Sequence, residues 1–237
     1  MTPERFAKGM TWSDYLAFTG SPENLAREGI DVRRGMDVLP RRLDWSAYLR
    51  ERHAKAEIGA AAAAAITWLA AQPGGPAKVA VICEEWSSDV RRDLPYLARL
   101  AEAGGLDFRI FPRDGAKIVM SGLPDPAGAP NADLMRAYAN EKNGKTFATI
   151  PVAVFYDRDF TELHRYVEYP AIYRKERLYG RHRAARPGET PEETKARGGR
   201  DIGAMFESPF FDVWAHGAVA EIIGALHERL VTGGQRG

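Results

Sequence analysis

Apolar positions fall in two textures along the chain. The first 75 residues scatter aromatic side chains among polar ones: Phe6, Trp12, Tyr15 and Phe18, then Trp45 and Tyr48. Thr11 stands ahead of Trp12-Ser13-Asp14 as the cap of a short helix, where its hydroxyl can accept from a first-turn amide. Ser21 does the same ahead of Pro22, whose fixed φ suits a first helical turn. A third helix starts at Asp44-Trp45-Ser46 and runs, with a break near Gly59, through the alanine tract to Gln72. Pro73-Gly74-Gly75-Pro76 stops it.

Beyond residue 76 the texture changes. Lys78 to Cys83 is a short run of small and β-branched residues, the pattern of a strand buried on both faces. Asp89 to Ala103 carries Val90, Leu94, Leu97, Leu100 and Ala101 at helical spacing, and Gly104-Gly105 ends it. Asp107 to Phe111 reads as a second strand, Leu123 to Pro130 as a loop, and Asn131-Ala132-Asp133 as a helix start. A third strand follows over Ile150–Tyr156, then a turn at Asp157–Asp159 and a fourth strand over Thr161–Glu168. Residues 210–231 form an apolar closing helix. Strand–helix–strand units imply parallel pairing and the short turn implies one antiparallel pair, so a mixed sheet covered by helices is expected. The division is a helical N-terminal extension over 1–75, packed on an α/β domain over 76–237 with an insertion at about 171–205. Within that insertion, residues 174–200 hold nine Lys or Arg against four Glu. They read as a solvated or partly disordered loop, with a lid over the site or a dimer contact as its other uses.

Charge and cysteine content narrow the function. The chain of 237 residues has a net charge of +1, so no global field draws nucleic acid or an anionic surface. Arginine outnumbers lysine 25 to 8, which beside six consecutive alanines reads as a compositional bias rather than a functional one. One cysteine, Cys83, excludes an internal disulfide and a cysteine-rich zinc cluster. The five histidines show no metal-ligand spacing, and neither metal nor cofactor is expected. The apolar run from Ile58 to Ala71 is shorter than the roughly 20 residues of a membrane span. The N-terminus has no apolar leader. Cytoplasmic placement without membrane contact is the expectation, with no nucleic-acid role.

The segment Glu84-Glu85-Trp86-Ser87-Ser88-Asp89-Val90 leaves a buried strand and enters a helix. Ser87 and Ser88 fall at the helix N-terminus, where unpaired amides and the helix dipole favour negative charge. One of them is expected to cap the helix, and Glu84, Glu85 and Asp89 read as solvated charge around the loop. Ile150-Pro151 opens a strand that should be central, a position proline tolerates only in a special geometry such as a cis bond.

These residues together resemble the thioredoxin superfamily: Trp86 before a helix-start segment, Ile-Pro opening a later strand, and a hairpin after it. Glu84-Glu85-Trp86, Asp89 and Leu94-Pro95 further resemble a bacterial branch whose motif commonly reads Glu-Glu-Trp-Cys-Gly-Asp-Cys, and Arg5-Phe6, Gly9, Thr11 and Tyr15 resemble its leader. The resemblance implies a thioredoxin-like α/β fold with a mixed central sheet flanked by helices. It places Ser87 at the attacking cysteine and Val90 at the resolving one. Thiol–disulfide exchange needs a thiolate to attack and a second thiol to release the mixed disulfide, and neither is present. Val81 stands where the family carries a buried acid on the preceding strand. The chain is therefore expected to be redox-inactive. By resemblance, Ile150 pairs its backbone with an extended ligand, with Pro151 shaping the groove and Trp86, Ser87, Ser88, Asp89 and Val90 bordering it. Cys83 reads as a buried filler, with a role as monothiol the alternative. The rival function is a thiol-dependent enzyme, an oxidoreductase or glutathione-transferase-like protein, using Ser87 as thiolate donor or Cys83. The partner is open among a protein, a peptide and a small thiol, a homodimer included.

Overall fold

In the computed structural model, residues 1–31, 37–119 and 128–233 are described. The sheet at its centre follows from strict alternation on a strand buried from both sides. Strand β3 (Lys78–Cys83) points Val79, Val81 and Cys83 to one face and Ala80 and Ile82 to the other. Every one of these five is essentially inaccessible to solvent. β3 pairs in parallel with β4 (Asp107–Pro112) and antiparallel with β7 (Val152–Tyr156), which pairs antiparallel with β8 (Glu162–Val167). The strand order is β4-β3-β7-β8, a mixed sheet as the element order implies.

Helices cover both faces. On the first, α5 (Ala60–Ala70), α6 (Ser88–Gly104) and α10 (Phe210–Val231) pack against one another, with α4 (Ser46–Lys55) against α6. Leu49, Ile66, Leu94, Ile222 and Leu226 join Val79 and Val81 in one apolar cluster there. On the second face, α1 (Pro3–Phe6) and α7 (Ala132–Ala137) contribute Phe6, Leu134 and Met135 over Ala80 and Ile82. The break between α4 and α5 falls at Gly59, whose φ of 79° suits a residue without Cβ. Gly105, in the left-handed conformation with its N–H bonded back into the last turn, ends α6. Thr11 caps α2 (Trp12–Thr19) in a reciprocal box with Asp14, and Ser21 caps α3 (Pro22–Leu25).

Two short hairpins lie outside the apolar periodicity: β1 (Gly29–Asp31) with β2 (Asp37–Leu39), and β5 (Asn140–Lys142) with β6 (Lys145–Phe147). Of the loop expected over Leu123–Pro130, residues 123–127 lie outside the described residues.

The expectation of a solvated loop over 174–200 is corrected. A single 3-10 turn (Ala171–Tyr173) leads into α8 (Lys175–Arg183), and α9 (Pro191–Phe206) returns beside it as a helical hairpin. Arg197 holds the two together, donating to Glu189 Oε2 at 2.9 Å, His182 O at 3.0 Å and Ala184 O at 2.7 Å. A capping box between Thr190 and Glu193 starts α9. Among the described residues no helix is long and apolar enough to cross a membrane.

Candidate functional site

The loop between β3 and α6 hangs on a buried network of charges. Glu84 and Glu85 end the strand with no solvent exposure, which corrects their reading as solvated charge. A buried carboxylate is tolerated only with compensating donors, and here they arrive from far along the chain. Glu84 accepts from Arg27 and Arg42, each at 2.9 Å, and from the Asp114 amide at 2.5 Å. Glu85 accepts from Arg42 at 3.2 Å and from Asn24 at 3.3 Å. Burial, with the charge of Asp114 behind it, pushes the Glu84 carboxyl up to about 7 against the pull of Arg42 and Arg27.

Trp86 is fixed by the same network. Its indole N–H donates to Asp114 Oδ2 at 2.9 Å, and the Arg113 guanidinium lies over its ring. From inside α6, Arg91 reaches back to the carbonyls of Glu85 and Trp86, at 3.1 and 2.6 Å, while stacked over Trp45. Burial pushes the Arg91 guanidinium down to about 10. Among the described residues six arginines are buried, and no lysine is. A planar fork with five donors satisfies several buried acceptors at once, which an ammonium cannot do in the same geometry. Four of these arginines, Arg27, Arg42, Arg91 and Arg113, thus hold the loop in place.

The residues expected to form the site do gather at one end of the sheet, and most are covered. Ser87 occupies the N-cap position of α6, yet its side chain makes no capping bond and has no hydrogen-bond partner among the described residues. Ser87 is 8% exposed and Val90 fully buried. Asp89 is not a solvated charge either: Arg92 bonds one of its oxygens at 2.7 Å, and Lys175 from α8 bonds the other. Tyr179, also on α8, lies against Ser88. The helical hairpin therefore rests on the start of α6. Behind Asp89, Arg92 also grips Asp93, which accepts from the Tyr166 hydroxyl at 2.7 Å.

Across from this helix start, the Ile150–Pro151 peptide is cis. Ile150 is 6% exposed, and neither its amide nor its carbonyl has a hydrogen-bond partner among the described residues. The next carbonyl, of Pro151, is taken by the Glu168 amide at 2.8 Å. One residue earlier, the buried Thr149 hydroxyl has no partner either. A cavity of about 420 Å³ opens beside it, bordered by Lys142, Phe147, Thr149 and Glu168.

Cys83 is fully buried and unpaired by any disulfide. Burial pushes its thiol well above the ordinary range, and Glu84 and Glu85 raise it further. A thiol in that state is a packing element rather than a nucleophile.

Sequence reading missed Arg27, Arg42, Arg91, Arg113, Asp114 and Lys175. Two consecutive glutamates directly after the apolar run 79–83 were the available signal, since such a pair requires cations from elsewhere.

No curated protein matches this chain. Among solved structures, the crystal structure of an HIV epitope-scaffold is similar at a TM-score of 0.50 and 14% identity, over 95% of this chain and 96% of that one. A protein of unknown function from Pseudomonas aeruginosa aligns over 94% of this chain and 95% of that one, at a TM-score of 0.49 and 14% identity. The mixed sheet with its helices on both faces has a thioredoxin-like fold. A family profile described as Thioredoxin matches residues 47–179, more than half of the chain, with the loop over 84–90 and the Ile150–Pro151 peptide inside the match, so the chain belongs to that family.

Proposed function

We propose that this chain is a thioredoxin-fold protein that acts by binding rather than by thiol–disulfide exchange, and that its ligand is an extended peptide segment. The observation that carries the reading is the unpaired backbone of Ile150 beside the unpaired Thr149 hydroxyl and its cavity. Unsatisfied main-chain groups at the entrance to a strand are a template for strand addition. Trp86, Ser87, Ser88, Asp89, Val90 and Pro151 border the ligand in this reading. The chemistry of exchange has no support: Ser87 and Val90 replace the two sulfurs, and the remaining thiol is sealed.

Two measurements test this. A disulfide-reduction assay with dithiothreitol should show no turnover above the uncatalysed rate. Titration of extended peptides into isotopically labelled protein should shift the amide resonances of Thr149, Ile150 and Trp86 first. Turnover in the first, or peptide binding that leaves those three resonances unmoved, would sink the proposal.

A second reading rests on the Ser87 hydroxyl, which is free to donate to the thiolate of a small bound thiol. It predicts that Ser87→Ala weakens binding of glutathione. Equal binding by both forms removes it.

A further inference from the structure

The outer face of the helical hairpin carries a second candidate site, unconnected with the groove at Ile150. Arg174, Arg177 and Arg181 lie three and four residues apart at and along α8, so they share one face, and all three are exposed. None of them has an acidic or aromatic partner among the described residues. This is unlike their neighbours: Lys175 is bonded to Asp89, Arg183 stacks on Tyr179, and Arg197 is locked to Glu189. Arg174 moreover holds a φ of 48°, a left-handed backbone that a residue with a Cβ adopts at some cost.

Beside this row the surface sinks into a cavity of about 680 Å³ between α8, α9 and α10. Its floor is aromatic: Tyr173 and Trp214 are buried and stacked with ring centroids 4.0 Å apart. Its rim is apolar and open, with Ile172 55% and Phe210 59% exposed. The one carboxylate on its wall, Asp201, is already engaged by Arg197 at 3.3 Å and lies 3.6 Å from His182. Three uncompensated guanidinium groups therefore stand over an apolar hollow.

We infer that this hollow docks an acidic segment of a partner protein, with carboxylates one helical turn apart on the arginine row and a bulky apolar side chain seated over Tyr173 and Trp214. Charge complementarity and spacing select that occupant. Seven residues of helix at about 1.5 Å each spread the cations over roughly 10 Å, which a ligand with a single anionic head group cannot span. Carboxylates at helical spacing on a partner meet that spread, and the guanidinium fork binds them bidentately. The aromatic floor is recessed, so a flat bilayer would meet the rim without reaching it. Phe210 is the one exposed aromatic ring on the cavity, which leaves little platform for stacking successive bases.

The test uses the full chain and a fluorescent synthetic helix bearing glutamates along one face and leucine and phenylalanine beside them. Anisotropy should show saturable binding that weakens as salt rises. The double variant Arg177→Glu/Arg181→Glu should lose tenfold or more in affinity while keeping the wild-type unfolding midpoint, and Phe210→Ala should also weaken binding. Three results would overturn the inference: no saturable binding of the acidic helix, binding unchanged by the double charge reversal, or tighter binding of single-stranded oligonucleotide or phosphatidylserine vesicles in the same buffer. None of these variants touches Ile150, so failure here leaves the groove proposal standing and the converse also holds.

Discussion

The loop before α6 and the outer face of α8 are both built from arginine beside aromatic rings, and they have opposite electrostatic fates. In the loop, Arg27, Arg42, Arg91 and Arg113 are buried, and each is bonded to a carboxylate or carbonyl oxygen. At and along α8, Arg174, Arg177 and Arg181 are exposed, with no ion pair among the described residues. The same side chain is an internal strut where its donors are satisfied and a recognition group where they are not. Residue type alone does not separate the two roles. What separates them is whether the chain supplies the acceptors.

The largest effect expected from this contrast is on stability. Arg42→Ala would leave Glu84, Glu85 and Asp114 as buried charges short of a partner. Breaking such a cluster from one side costs about 3–5 kcal/mol, a fall of roughly ten degrees in unfolding temperature for a chain of this size. Thermal unfolding checks it, and a midpoint within two or so degrees of wild type would show the network to be dispensable.

A smaller effect lies in pH. The Glu84 carboxyl is raised from 4.5 to about 7 in the folded chain, so the native state binds this proton more tightly than the unfolded state. Through this group stability is full below pH 4.5 and falls as pH rises through about 7, by about 3 kcal/mol. Glu84→Gln removes the titration. Its stability relative to wild type should therefore rise between pH 5 and pH 8, as read from denaturant midpoints at each pH. A flat difference would argue that Arg27 and Arg42 keep Glu84 ionised throughout.

The smallest effects are expected on the outer face. Arg177→Glu should change stability by no more than about 0.5 kcal/mol, as is usual for an exposed position without partners. The thiol makes a matching control: native Cys83 should resist a disulfide reagent that modifies it fully after unfolding. Rapid labelling of the native chain would mean that β3 opens far more readily than its packing implies.

Where periodicity and punctuation agree, the fold was legible. β3 and α6 lie within a residue or two of their expected bounds because the strand is apolar on both faces and Gly105 stops the helix. The caps at Thr11 and Ser21 were legible for the same local reason. The two hairpins at β1–β2 and β5–β6 were not, since strands of three residues such as Asn140–Lys142 carry no apolar alternation and are fixed by pairing alone. α8 and α9 were masked by arginine and glycine. The Thr190-Pro191-Glu192-Glu193 box was a signal for α9 that the charge count obscured. Of the site, Trp86, Ser87 and Ile150-Pro151 could be placed by motif. The struts could not, because Arg42 and Arg113 reach Glu84 and Trp86 from elements whose proximity only the folded chain creates.

One contact at the edge of the sheet has a consequence for solubility. Met10 pairs with Ile110 through both backbone hydrogen bonds, at 2.9 and 2.8 Å, along the otherwise open side of β4. An unpaired strand edge is a template for sheet growth between chains. The N-terminal strip closes β4 at that point, and the opposite edge, β8, is guarded by Glu162 and Arg165. Growth of the sheet from molecule to molecule thus meets, at Ile110, a residue that belongs to no strand of its own. Met10→Pro, which removes the N–H that the Ile110 carbonyl accepts while leaving Phe6 in the core, should aggregate more readily than wild type.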